Sequence, residues 1–364
     1  MPGLEHDLLL RAIVASPKEA VAAYRAWRPG VDFEGPVDEE TTALLPQLHE
    51  ALARLEIDDP LAGVFKGIAR RAWYENQTLL ASADQALAAL LRHQIDFTVI
   101  GETPLVLSCY GNLYLRRIGQ VDILVAPQQA REAADLIIDA GWRAGRLAEE
   151  EVAYRHVRRF AGGADRTLAL HWHFIGSAAS RSADRFFQAQ TESWTLQGIA
   201  ARQLAPAAAL LHLLLSDLPA PGPKPALWVT DVRSALAYAG DQVNWRAIAD
   251  FAISESLAAR LQQRLLLLGE YGITPPAAEM HRLAGARTSL PETIDRFLLR
   301  RQLRGAKLTT ARGWNVFADY LRSDRRTGMA GGLTEFPHFV RHRWGLGGRS
   351  QILPAIARNL WRQT

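Results

Sequence analysis

The stretch Arg116–Val125 reads RRIGQVDILV, and it decides how the rest of the chain is understood. Val121, Ile123, Leu124 and Val125 form a short apolar run, the composition of a strand buried on both faces. Asp122 interrupts it. A carboxylate there is costly to bury unless something compensates it. It therefore has either a ligand to hold or an internal cation such as Arg116 or Arg117. Side chains alternate along a strand, so Gln120 and Asp122 share one face.

Upstream, residues 1–85 read as helices. HDLLLRAIVA and EETTALLPQLHEALARLE carry apolar positions three and four apart, and Asp38 or Thr41 is placed to cap the second. PLAGVFKGIARRAWYENQTLLASADQALAALLRHQ follows as one long helix, or two joined near Glu75–Gln77. The pattern changes at Ile95. DFTVIG is a short strand closed by Gly101, TPLVLSCYGN reads as a helix, and RRIGQVDILVAP is the next strand. PQQAREAADLIIDAGWRA is an amphipathic helix stopped at Gly141, and YRHVRRFAGGADRTLALHWHFIG is two strands around a Gly-Gly-Ala-Asp turn. This order predicts a small mixed sheet with helices on one side. From about residue 181 the chain reads as helical, beginning with AARQLAPAAALLHLLLSDL. A stiff loop interrupts it at Pro219–Pro225, and Gly-rich breaks fall at 328–332 and 345–348.

The 364 residues suffice for two or three domains, and 48% hydrophobic with 22% charged residues is an ordinary globular balance. The single cysteine, Cys109, excludes an internal disulfide framework and lies in no nucleophile motif. No run approaches the roughly 18–20 uncharged apolar residues of a membrane helix. The start MPGLEHDLLL lacks the pattern of a signal peptide, so a cytoplasmic location is expected. The net charge of +4 is uneven. Residues 281–364 hold 16 Lys and Arg against 5 Asp and Glu, a net +11, leaving −7 elsewhere. These basic residues are interleaved with apolar ones, as in Arg296–Lys307, which reads as the solvated face of an amphipathic helix. A nucleic-acid partner is therefore not favoured. No phosphate-binding G-x-x-x-x-G-K-[ST], no G-x-S-x-G and no H-E-x-x-H is present.

An ordered series of landmarks runs along the chain. It comprises Gly101, Leu113-Tyr114, Arg116 or Arg117, Asp122 in DILVAP, Gly141-Trp142-Arg143, Leu170-His171-Trp172, LLHLLL at 210–215, Trp228 with Asp231, and Asn244-Trp245. From about Phe97 to Pro276 this series resembles the bacterial uncharacterised nucleotidyltransferase family, a branch of the polymerase-β-like superfamily. The resemblance implies an α+β fold, a mixed-sheet nucleotidyltransferase core flanked by helical regions. Residues 1–92 would be an N-terminal helical region, 93–180 the α/β core, and 181–364 a C-terminal helical domain with a basic tail. The cleft would lie between the sheet and the C-terminal helices. In that superfamily three strand carboxylates hold two Mg²⁺, which activate the attacking hydroxyl and steady the triphosphate. This chain departs from the pattern at the chemistry. Gln120 replaces the first acid, Ala169 the third, and Ile100 the lysine before the glycine; Asp122 alone remains. Hard cations prefer charged oxygen ligands, and of the nearby acids Glu102 is a better substitute than Asp165.

Asp122 is thus the expected metal ligand, with Gln120 and Glu102 as auxiliaries. Gly101, Glu102 and Thr103, a strand-to-helix corner, would cradle phosphate together with Arg116 and Arg117; surface ion pairs are the alternative for the two arginines. His171 and His173 alternate onto the face of Ala169. With Asp122 they would complete a two-His-one-carboxylate metal set or act as acid–base residues, against a purely structural role. Asp231 and Trp228 read as a helix cap and packing, and His212 as a satisfied core histidine. Three functions follow. The first is Mg²⁺- and NTP-dependent transfer to a small-molecule or peptide acceptor. The second is a degenerate pseudo-nucleotidyltransferase that binds a ligand or peptide and needs no cofactor. The third is a cleft repurposed for other chemistry through His171 or His173.

Overall fold

The computed structural model describes residues 3–216, 226–287, 289–299, 306–323 and 328–343, with 346, 348 and 351. Four helices come first: α1 (Leu4–Val14), α2 (Pro17–Trp27), α3 (Glu39–Arg54) and α4 (Ala62–Arg92). Asp38 caps α3, its carboxylate accepting the Thr41 N–H at 2.9 Å. α4 runs unbroken for 31 residues through Glu75–Gln77, because Leu79, Leu80, Leu87 and Leu90 keep one buried stripe.

The sheet follows. Its strands are β1 (Thr98–Ile100), β2 (Val121–Leu124), β3 (Val157–Ala161), β4 (Thr167–His171), β5 (Thr191–Leu196) and β6 (Ile199–Leu204). Between them lie α5 (Glu102–Pro104), a single turn continued by wider turns over Leu105–Cys109, then α6 (Ala130–Asp139), α7 (Glu149–Tyr154) and α8 (Arg181–Gln188). The spatial order is β3-β4-β2-β1-β6-β5, three antiparallel pairs joined through parallel β4–β2 and β1–β6 contacts. The remaining helices are α9 (Pro206–Leu215), α10 (Ala226–Ala239), α11 (Trp245–Ser254), α12 (Ala258–Gly269), α13 (Ala277–Ala284), α14 (Leu290–Leu299), α15 (Ala306–Arg322) and α16 (Gly328–Arg343).

Three sequence expectations change. The helix expected from 181 is only α8; β5 and β6 follow it and extend the sheet to Leu204, past the 93–180 span. Gln197 and Gly198, both at positive φ, form the two-residue loop that closes this hairpin. Helices cover both faces of the sheet rather than one. Val99, Ile123, Phe160, Leu168 and Leu170 pack with α4 and α6, while Ile100 and Leu124 belong to a larger core that includes α1–α3 and α9–α12. The Gly-rich stretch 328–332 lies within α16 rather than breaking the chain. Pro219–Pro225, residues 300–305 of the Arg296–Lys307 stretch and most of the basic tail beyond 343 lie outside the described residues. Among those described, no helix is long and apolar enough to cross a membrane.

Candidate functional site

Strand register builds the site. Ile100 of β1 pairs with Asp122 of β2, Asp122 with Ala169 of β4, and Ala169 with Arg159 of β3. Directly paired residues point to the same face, so these four make one row across four strands. His171 stands two residues beyond Ala169, on that face. Ile100, Asp122 and Arg159 of the row line a cavity of about 600 Å³ whose opposite wall comes from α9 and α10.

Asp122 is only 6% exposed. Its Oδ1 accepts a hydrogen bond from Gln120 Nε2 at 2.6 Å and lies 2.8 Å from His171 Nε2. Burial pushes the carboxyl above the usual aspartate range, and the His171 contact opposes that shift. The Gly101 corner is shaped by this side chain. Gly101 sits at φ +72°, and a Cβ there would lie 3.0 Å from Asp122 Oδ2. On its other side Gln120 Oε1 accepts from Arg159 Nε at 3.3 Å. A carboxylate only accepts and a guanidinium only donates, so the amide between them is oriented by its neighbours. Arg159, Gln120, Asp122 and His171 therefore form one connected line.

The other expected site residues divide. Glu102 lines the cavity, but its oxygens accept from Arg116 at 2.7 Å and from the Gly119 N–H at 2.6 Å. Arg116 also lines it and is consumed: its guanidinium grips both oxygens of Asp231 at 3.1 and 3.2 Å as well as Glu102. Burial works against its charge, yet the two acids outweigh burial and hold its pKa above the usual value. Arg117 is outside the cavity, in a half-exposed ion pair with Glu75 at 2.6 Å. Thr103 is fully buried and forms no part of the cavity wall. β4 ends at His171, so alternation stops there, and His173 Nδ1 instead meets Asp184 Oδ2 at 2.6 Å. Asp231 is no cap; it sits inside α10, paired with Arg116 and with the Tyr110 hydroxyl at 2.6 Å. His212 is buried with Nε2 2.9 Å from the Phe174 carbonyl oxygen.

Arg159 and His156 line the cavity and escape the sequence reading. The His156 ring lies 6.3 Å from that of His171. Alternation around the buried Phe160 puts Arg159 on the opposite face, but only the register shows that its neighbour is Ala169. Cys109 also lines the cavity; burial, with Asp231 nearby, pushes its thiol up to about 11, so it is no ready nucleophile.

These residues do not fit a two-Mg²⁺ site. Asp122 Oδ1 is engaged twice, both oxygens of Glu102 are taken, Ala169 brings no oxygen, and Arg159 adds a cation to the row. No group of three His, Cys, Asp or Glu able to hold a metal occurs among the described residues.

A six-stranded mixed sheet with flanking helices and a strand acid behind a glycine corner defines a nucleotidyltransferase-like α+β protein. The chain belongs to the uncharacterised nucleotidyltransferase family, which matches it over residues 40–271. The match starts inside α3 and ends just past α12, so both walls of the cavity fall within it. No curated protein and no solved structure matches the chain.

Proposed function

We propose that this chain is a nucleotide-binding member of its family that holds its ligand in the Gly101–Asp122–His171 cleft without two-metal catalysis. The reading rests on the row Ile100–Asp122–Ala169–Arg159, where one carboxylate faces an arginine instead of two further acids. A two-metal site concentrates negative charge and needs cations to balance it. Here the row carries one acid, Asp122, and one cation, Arg159, each hydrogen-bonded to the neutral Gln120. Metal-dependent transfer to a small molecule or peptide would need ligands that the row does not offer.

The test is incubation with each radiolabelled NTP, Mg²⁺ or Mn²⁺ and a cell extract, alongside equilibrium dialysis. Nucleotide retention without labelled product is expected. A labelled product that disappears in Asp122→Ala overturns the reading. The 2.8 Å His171–Asp122 contact favours a second reading, acid–base chemistry by His171 with Asp122 orienting it. NTP-independent activity of the extract-supplemented protein that is lost in His171→Ala would be its mark.

A further inference from the structure

We infer that Arg159 is the phosphate-binding cation of the cleft, so that a nucleotide is held without a divalent metal. This deepens the nucleotide-binding reading above and rests on it. The charges lining the cavity carry the inference. Its carboxylates are Glu102, Asp122 and Asp231, and its guanidinium groups are Arg116 and Arg159. Arg116 is buried and fully spent on Asp231 and Glu102. Arg159 is exposed, and among the described residues its side chain has one hydrogen-bond partner, the neutral Gln120, reached through Nε. The terminal nitrogens of its fork are left to face the cavity's contents, and a guanidinium fork matches phosphate oxygens in pairs.

The neighbours keep Arg159 in this state. An aspartate at position 120 would sit within reach of the guanidinium and neutralise it; the amide only orients it. Ala169, its register partner, brings no acid to pair with the arginine. His171 and His156 line the same cavity, with their rings 6.3 Å apart. The α9–α10 wall is different in kind, with Leu213, Leu227 and Trp228 presenting apolar surface. A ligand that satisfies both ends has an anionic phosphate at one end and a flat or apolar group at the other. A nucleoside phosphate has that shape, and a cavity of about 600 Å³ is of the size that holds such a molecule.

The experiment measures binding of a fluorescent N-methylanthraniloyl ATP, with each unlabelled NTP as competitor, in EDTA and in Mg²⁺. Wild type should bind equally in both. Arg159→Gln should weaken binding about tenfold or more, and Arg159→Lys should retain part of it. Because Arg159 is exposed, the variants should keep the wild-type melting temperature. In Gln120→Asp/Ala169→Asp, which adds two acids to the row, binding in EDTA should collapse and return only with Mg²⁺. Binding that requires Mg²⁺ in the wild type, or that survives Arg159→Gln unchanged, overturns the role of Arg159 while leaving a nucleotide-binding cleft in place. No binding of any nucleotide in either buffer overturns both.

Discussion

Gly101 and Asp122 constrain each other. Gly101 is at φ +72°, and a methyl group there would press on Asp122 Oδ2 at 3.0 Å. Gly101→Ala should therefore lower stability by about 1–2 kcal/mol from backbone strain alone, with more from displacing the carboxylate. Urea unfolding measures it, and a loss below a few tenths would mean the corner relaxes freely. Asp122 itself makes stability depend on pH. Its folded pKa is raised chiefly by burial. The group therefore adds stability below the unfolded value of about 3.9 and loses it as pH rises through the folded one. Asp122→Asn has no such titration. The stability difference between the two proteins should move in favour of the asparagine form by up to about 1.4 kcal/mol per pH unit above pH 4, then level off. A flat difference across pH would contradict the raised pKa. At this scale the sequence is informative where contacts are local. Gly101, Gln120 and Asp122 lie on or beside short strands whose alternation is visible. Arg159 enters the site only through a register between strands, and His173 leaves it because β4 stops two residues early.

Between elements, one buried arginine acts as a clip. Arg116, in the segment before β2, joins Glu102 after β1 to Asp231 on α10. The same segment is pinned from below by Asn76 of α4, which donates to the Leu113 and Arg116 carbonyls at 2.7 and 2.9 Å and accepts the Ile118 N–H at 2.7 Å. Removing one partner of a buried ion pair strands the other's charge, so Arg116→Met should cost about 3–5 kcal/mol. Adding Asp231→Leu should recover much of that loss, because the stranded carboxylate is then gone. Chemical denaturation of the single and double variants decides it; a double variant no more stable than the single one would mean that Asp231 is not the stranded charge. None of this is visible in a pattern of apolar spacings, which is why Asp231 reads as a cap from sequence. Helices such as α3 and α4 are legible because apolar spacing and an Asp cap agree. β5 and β6 are less so, since polar Thr191, Glu192 and Arg202 dilute a two-residue alternation that the Gln197–Gly198 turn nonetheless closes.

Across the whole molecule, the sequence's charge asymmetry has a partly internal meaning. The C-terminal arginines read as a solvated face, but Arg322 of α15 is buried against Asp295 of α14. Arg260 of α12 forks onto the same Asp295 at 2.8 and 3.0 Å and reaches Asp319 of α15 at 3.0 Å. Burial, and then Arg260, push the Arg322 pKa below its usual value, so the cluster depends on its acids. Apolar packing holds the same helices. Ile294, Leu298 and Ala318 form a cluster separate from the two large cores, with about 1.5–3 kcal/mol for each large side chain fully buried. Asp295→Asn leaves two guanidinium groups sharing Asp319 and should cost about 3–5 kcal/mol. The loss should be local, because the sheet residues belong to other cores. Native-state hydrogen exchange should accelerate in α14 and α15 while amides of β1, β2 and β4 keep wild-type protection. Equal acceleration in the sheet would mean that the C-terminal helices and the cleft unfold as one unit, and that the network stabilises the site as well as its own helices.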